Sequence, residues 1–225
     1  MKNKDYRVLF ESWQRFINEG ESEYTELHMY DFDDTLFRSP YPPKWWYEDY
    51  DVYMMWDQDN PPVRSHEINE DWDTSPQSLG PPFMNKNPTL SSGLWKKDVL
   101  LSAIESQSKS YVYNMFCTGR EVVLKDHIKE MMDNVNLTFD KDKYFLQPDD
   151  RDTAKFKVDK ISKVLDDHPT IKKVCIWEDS TTNLTNIEEL CNSRKDLKFE
   201  GYRIEKNPIE ITMSKEEYLE KIKNI

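Results

Sequence analysis

The sequence has no long hydrophobic run, and it contains only three cysteines in 225 residues. No apolar stretch approaches the roughly 20 residues of a membrane-spanning helix, and the N-terminus, MKNKDYRVLFESW, lacks the apolar core of a signal peptide. The cysteines, Cys117, Cys175 and Cys191, are odd in number and lack the spacing of metal ligands, so we interpret them as buried, reduced thiols. Together these absences predict a cytoplasmic protein with no membrane segment.

Basic residues are also scarce. The chain has 31 Lys and Arg against 43 Asp and Glu, a formal net charge of −12, and so acidic a chain repels nucleic acid over most of its surface. This excludes a protein that coats DNA or RNA, but it leaves open a nucleic-acid end bound in a local pocket. Aromatic residues are plentiful, with 7 Trp, 12 Tyr and 10 Phe, which excludes a disordered chain because such chains are poor in aromatics.

From residue 95 onward, apolar runs alternate with helical patterns, which is typical of a parallel sheet with crossover helices. We therefore predict an α/β fold: a Rossmann-like parallel sheet with helices on both faces. The predicted strands lie within 26–37 and at 111–117, 143–146, 171–177 and 197–204, and the predicted helices at 6–19, 95–107, 120–133, 153–166, 182–192 and from Ser214 onward.

Residues 38–92 have a different character, with nine of the twelve prolines and weak periodicity. We predict that they form an inserted cap or loop segment, and that the core domain consists of 1–37, with a helix in its first 20 residues, and 93–225. The insertion carries Trp45 and Trp46. Such aromatics either stack on a substrate base or hold the cap to the core, and the sequence leaves both roles open.

Polar clusters follow the predicted strands, at the edge of a parallel sheet where ligands bind. Asp31 and Asp33 are two residues apart, so an extended backbone points both carboxylates the same way. Neighbouring carboxylates favour a bound cation, and Mg²⁺ is the natural choice because it prefers oxygen ligands. The alternative is an acidic turn that caps a helix. The clusters are Asp31–Thr35, Thr118–Arg120, Lys155 or Lys157, and Glu178–Asp179.

The order of these clusters resembles that of the haloacid dehalogenase-like (HAD) phosphatases. Tyr30–Phe37, YDFDDTLF, is similar to their D-x-D-x-T signature, and Thr118-Gly119-Arg120 is similar to their second motif. A lysine before the next strand and the pair Glu178-Asp179 stand where the third and fourth motifs are expected. For the lysine we favour Lys157 over Lys155, because apolar residues at +4 and +7 place its face of the helix against the core.

The resemblance implies a role for each motif. Asp31 is the nucleophile that forms an aspartyl-phosphate, and Asp33 is the general acid and base. The lysine and Mg²⁺ offset the repulsion between carboxylate and phosphate. Substrate contacts are expected from Thr35, Thr118, Gly119 and Arg120, and metal ligands from Asp31, Asp33 through its carbonyl, and Asp179 with Glu178 in support.

The segments DFDDTLFRSP and Ile176–Asp179 are similar to those of the "Swiss army knife" RNA repair-like branch, and Thr118–Glu121 is similar to the 3′-phosphatase domain of polynucleotide kinases. The repair-like branch usually has Arg where this chain has Ser180. The resemblance implies a phosphorylated nucleotide or nucleic-acid end as substrate, with no obligate protein partner. A small-metabolite phosphatase and a binding module without catalysis are the alternatives, and intact Asp31, Asp33 and Thr118 disfavour the second.

Overall fold

The apolar runs of the sequence form the strands of a parallel sheet. The computed structural model describes residues 24–41, 43, 45–46, 76–148 and 152–222. In this part of the chain the main sheet consists of β1 (Glu26–Tyr30), β3 (Val112–Glu121), β4 (Tyr144–Gln147), β5 (Lys173–Glu178) and β6 (Lys198–Arg203). Its strand order is β4-β3-β1-β5-β6, and every neighbouring pair is parallel. The predicted Rossmann-like sheet is therefore confirmed. A separate two-stranded sheet pairs β2 (Pro40–Tyr41) with β7 (Ile209–Glu210).

Helices cover both faces of the main sheet, because alternate residues of a buried strand point to opposite sides. On one face, Leu27 and Met29 of β1 pack in a core with residues of the third and fourth helices. On the other face, Tyr30 packs in a core with residues of the first two helices. The helices are α1 (Lys97–Gln107), α2 (Lys125–Asp133), α3 (Thr153–Asp167), α4 (Thr181–Asn192) and α5 (Lys215–Ile222).

Two helices begin later than their patterns predict. The helix expected from residue 120 begins at Lys125, because β3 continues as far as Glu121, which pairs with Gln147 of β4. The helix expected from residue 95 begins at Lys97, because Trp95 forms an antiparallel bridge with Phe37. In both cases an interaction with a distant part of the chain keeps the backbone extended where the local sequence favours a helix.

The described ends of the insertion pack against the C-terminal part of the chain. Trp45, Trp46, Phe83 and Tyr218 form an aromatic cluster, with ring centroids 5.7 Å apart for Trp46 and Tyr218 and 5.3 Å apart for Phe83 and Tyr218. The Trp45 indole N–H also donates to the Met213 carbonyl at 2.8 Å. These contacts hold the two ends of the insertion against α5.

Several predictions fall partly or wholly outside the described residues. The N-terminal helix does so, and most of the insertion does too, so the division into core and cap stays a prediction. The three cysteines are free and buried, as predicted. Within the described ranges, no helix combines the length and the apolar character that crossing a membrane requires.

Candidate active site

The carboxyl ends of β1, β3 and β5 meet at one edge of the sheet, as parallel strands must. Asp31 follows β1, and its backbone N–H donates to the Trp177 carbonyl of β5 at 3.2 Å. Glu178 ends β5 and is fully buried. The Lys157 ammonium, only 1% exposed, lies between the two carboxylates, 2.7 Å from Asp31 Oδ1 and 2.6 Å from Glu178 Oε2. One buried cation therefore joins the ends of two strands.

The position of Lys157 follows from the amphipathic pattern of α3. Its helical face also carries Ile161 and Val164, which are buried in the core. Lys155 is two residues earlier on the same helix and is exposed. The structure thus brings Lys157, and not Lys155, to Asp31.

Burial and the close approach of like charges determine the pKa values of Asp31, Glu178 and Lys157. Burial raises the pKa of Asp31 well above its usual value, and the neighbouring Glu178 carboxylate raises it further. Burial likewise raises the pKa of Glu178, against the opposing effect of Lys157. Burial acts to lower the pKa of Lys157, but Asp31 and Glu178 outweigh it and hold that pKa above its usual value. The carboxylates outnumber the single buried ammonium, which favours the binding of a further cation.

The acidic group has a composition suited to Mg²⁺. Asp31, Glu178 and Asp179 each offer a carboxylate oxygen, and these oxygens lie within 4.8 Å of one another. Carboxylate oxygens are the protein ligands that Mg²⁺ prefers. Burial acts to raise the pKa of Asp179, but hydrogen bonds with Glu178 and Lys206 outweigh burial and hold that pKa below its usual value. Both members of the Glu178-Asp179 pair therefore belong to a group that could hold a metal ion, and Glu178 is also bound to Lys157; their role as metal ligands stays a prediction.

Asp33 has a different environment. Arg120 donates to both of its carboxylate oxygens, from Nε at 2.8 Å and from Nη2 at 2.7 Å, and the Ser39 hydroxyl donates to Oδ1. The Asp33 side chain is 30% exposed, which leaves it accessible from solvent. The Asp33 carboxylate is thus directed to Arg120, and a metal contact through the Asp33 carbonyl stays a prediction.

Arg120 differs from the sequence prediction. The sequence predicts that Arg120 binds a substrate phosphate, but its guanidinium is buried and bound to Asp33 through two hydrogen bonds. Its Nη1 also donates to the Ser78 hydroxyl of the insertion. A guanidinium held on both sides positions Asp33, and the structure favours this role over direct contact with substrate.

The other predicted substrate contacts lie close to the same strand ends. Thr118 is fully buried and its hydroxyl accepts the Arg120 backbone N–H at 3.1 Å, while Gly119 is partly exposed. A Cβ at Gly119 would lie 2.9 Å from the Thr153 methyl group, so the end of β3 lies directly against the first residue of α3. Thr35 is fully buried, and among the described residues its hydroxyl has no hydrogen-bond partner. The contacts of these three residues with substrate stay predictions.

The predicted stacking residues belong to the aromatic cluster. Trp46 is only 2% exposed, so its ring has no open face for a base, and the structure favours the alternative role of holding the insertion in place. Trp45 is partly exposed, and its role in substrate binding stays a prediction.

Several residues of the site have no role predicted from the sequence. Lys206 lies with its ammonium 2.8 Å from Asp179 Oδ2. It follows β6, so the strand-end rule that located the other clusters would have located it too. Asp34 is buried at the tight turn after β1, with a left-handed φ of 52°. Ser39 and Ser78 have no sequence signal, because nothing in their surroundings predicts contact with Asp33 and Arg120.

A family model described as "HAD domain family 1 in Swiss Army Knife RNA repair proteins" matches residues 63–224. The matched part includes Thr118–Arg120, Lys157 and Glu178–Asp179, and it begins after Asp31 and Asp33. No curated protein and no solved structure matches the chain.

Proposed function

Because the chain belongs to HAD domain family 1 of the Swiss Army Knife RNA repair proteins, we propose that it is a Mg²⁺-dependent phosphohydrolase that cleaves a phosphate from a nucleotide or nucleic-acid end. The observation that carries the proposal is the buried Asp31, held 2.7 Å from the Lys157 ammonium beside Glu178 and Asp179. A carboxylate so placed at the end of a central strand fits a nucleophile that forms an aspartyl-phosphate.

In the first step, Asp31 attacks phosphorus while the bond to the leaving oxygen breaks. Lys157 holds Asp31 Oδ1, which leaves Oδ2 for the attack, and its positive charge favours the ionised carboxylate. Asp33 donates a proton to the leaving oxygen. Arg120 fixes the direction of the Asp33 carboxyl group through its paired hydrogen bonds.

In the second step, Asp33 removes a proton from water as the water oxygen attacks phosphorus. The bond between phosphorus and Asp31 breaks, which releases phosphate and restores both carboxyl groups. Asp31, Glu178 and Asp179 would hold Mg²⁺, which when bound supplies positive charge against the carboxylates and the phosphate. In this proposal the Thr118 hydroxyl and the Gly119 amide would donate to phosphate oxygens.

A small-metabolite phosphatase is the second candidate. The net charge of −12 favours it, because an acidic surface repels long polyanions. A comparison of turnover on 3′-phosphorylated oligonucleotides, mononucleotides and sugar phosphates tests the two candidates directly.

We expect activity on an aryl phosphate to disappear in a chelator and to return when Mg²⁺ is added. Mg²⁺ should also raise the melting temperature, because a ligand that binds the native state stabilises it. Asp179→Asn should reduce this shift in melting temperature, whereas Lys155→Met, at an exposed position, should leave it unchanged. Full activity in the chelator would contradict the metal requirement.

Asp33→Asn should slow the chemical step by about 10²–10⁴-fold, the usual contribution of a positioned proton donor. The loss should be smaller for a nitrophenyl phosphate, whose leaving group departs without a proton. Ser39→Ala serves as the control, because it removes one hydrogen bond to Asp33 but keeps the carboxyl group, and its effect should be far smaller for every substrate. Equal losses for good and poor leaving groups in Asp33→Asn would show that Asp33 is not the proton donor.

A further inference from the structure

A cavity of about 640 Å³ lies beside the candidate active site. We call it the basic cavity, because its lining has five cationic residues and two acidic ones in a chain whose net charge is −12. The cationic residues are Arg38, Lys96, Lys97, Arg203 and Lys206, and the acidic ones are Asp98 and Glu205. A local excess of positive charge on an acidic protein favours an anionic ligand at this place.

The walls of the basic cavity are attached to the catalytic loops. The Ile204 N–H donates to the Glu178 carbonyl at 2.9 Å, and the Lys96 N–H donates to the Leu36 carbonyl, just after the Asp31 turn, at 3.0 Å. The Lys206 ammonium lies 2.8 Å from Asp179. The cavity therefore adjoins the loops of both acidic motifs.

Two of the cavity cations, Arg38 and Lys96, are held in place without being neutralised, whereas Lys206 is paired with Asp179. Arg38 donates from Nε to the Asn207 carbonyl at 2.9 Å and from Nη1 to the Gly93 carbonyl at 3.2 Å, and the Lys96 ammonium donates to the Glu205 carbonyl. Among the described residues, neither cation forms an ion pair with a carboxylate. Backbone carbonyls fix the direction of these groups but leave their net charge available, and Arg38 retains further N–H donors for a phosphate.

The size of the cavity also suits part of a nucleotide. Ligand pockets commonly measure about 300–1,000 Å³, so the volume accommodates a phosphate together with the sugar that carries it. The first turn of α1 lies in the wall, and the positive end of its helix dipole adds to the attraction for an anion.

We propose that the basic cavity binds a second phosphate of the substrate while the phosphate to be cleaved lies at Asp31. The inference rests on the proposed function and narrows it to substrates that carry two phosphate groups. The second group is either the adjoining phosphodiester of a polynucleotide end or the other phosphate of a small bisphosphate. Binding of this group is the same before and during the chemical step, so its loss raises KM and leaves kcat unchanged.

The test is a charge reversal at two exposed positions of the lining, Lys97→Glu with Arg203→Glu. The control is Lys155→Glu with Lys198→Glu, which makes the same change in net charge at exposed positions outside the lining. KM and kcat are measured with a 3′-phosphorylated dinucleotide, a nucleoside 3′,5′-bisphosphate, a nucleoside 3′-monophosphate and an aryl phosphate.

We expect the cavity variant to raise KM at least about tenfold for a substrate with two phosphates, with kcat within about twofold of the wild type. The monophosphates and the control variant should show changes of less than about twofold. If KM rises only for the dinucleotide, the ligand of the cavity is the phosphodiester. If KM rises only for the bisphosphate, the ligand is a terminal phosphate. If KM rises for both substrates, the cavity accepts either kind of second phosphate. An unchanged KM, or an equal rise for all four substrates, overturns the proposal.

A binding measurement separates this inference from the proposed function. If the wild type turned over none of the substrates, the proposed function would fail, but the cavity would still be tested by calorimetric titration of the bisphosphate into the wild type and the cavity variant. Weaker binding to the cavity variant alone supports the second-phosphate site. Equal binding to both proteins overturns it.

Discussion

Replacing Asp31 with Asn is expected to reduce turnover by about 10⁴–10⁶-fold, the scale of loss when an enzyme nucleophile is removed. An amide has the shape of the carboxylate but does not attack phosphorus. The fold should persist, because Lys157 still donates to Glu178 and because the substitution removes one of the buried, mutually repelling carboxylates. The measurement is single-turnover hydrolysis of an aryl phosphate, with the melting temperature recorded alongside.

The neighbouring Asp34→Asn is a matched control for this variant. It makes the same chemical change three residues after the nucleophile, and Asn tolerates the left-handed backbone found at position 34. Its effect on turnover should be far smaller. Beryllium fluoride, which mimics a phosphoryl group, should form an adduct on Asp31 of the wild type. An adduct on another carboxylate, or full activity of Asp31→Asn, would assign the nucleophile elsewhere.

Lys157→Met should have the second largest effect, on stability as well as on turnover. It leaves Asp31 and Glu178 buried without their shared cation, and breaking a buried ion pair from one side costs about 3–5 kcal/mol. Turnover should fall by about 10²–10³-fold, as it does when one electrostatic donor to a transition state is removed. The free energy of unfolding is measured by urea titration in the chelator and again with Mg²⁺.

Lys155→Met is the control for Lys157→Met, since it removes the same side chain from an exposed position on the same helix. It should change the free energy of unfolding by less than about 0.5 kcal/mol. Added Mg²⁺ should restore part of the stability lost in Lys157→Met, because it supplies positive charge to the same carboxylates. If the two variants were equally stable and equally active, Lys157 would have no special part in the site.

The fold could be predicted from the sequence because its central strands are short apolar runs that alternate with amphipathic helices. The same alternation placed Asp31, Thr118 and Glu178 at strand ends, where the sheet brings them together. Lys157 could be chosen over Lys155 because the helical period places it on the same face as buried Ile161 and Val164, four and seven positions further along the helix. These predictions use only local periodicity and the geometry of parallel strands.

The role of Arg120 could not be predicted in this way. Its partner, Asp33, is 87 residues away in the sequence, and Ser78 reaches it from an insertion without a regular pattern. The late start of α2 has the same origin, because the pairing of Glu121 with Gln147 depends on how two strands align. Contacts of this kind depend on tertiary structure, and the local sequence contains no signal for them.

The close contact between Gly119 and Thr153 links the second motif to the helix that carries Lys157. A methyl group at position 119 would meet the Thr153 methyl at 2.9 Å and its hydroxyl at 3.0 Å, and Thr153 precedes Lys157 by one helical turn. A larger residue at 119 would therefore have to displace the Thr153 side chain, whose hydroxyl donates to Gln147 at 2.9 Å, in the first turn of the helix that carries Lys157. A side chain at 119 therefore fits without displacing its neighbours only when residue 153 is smaller.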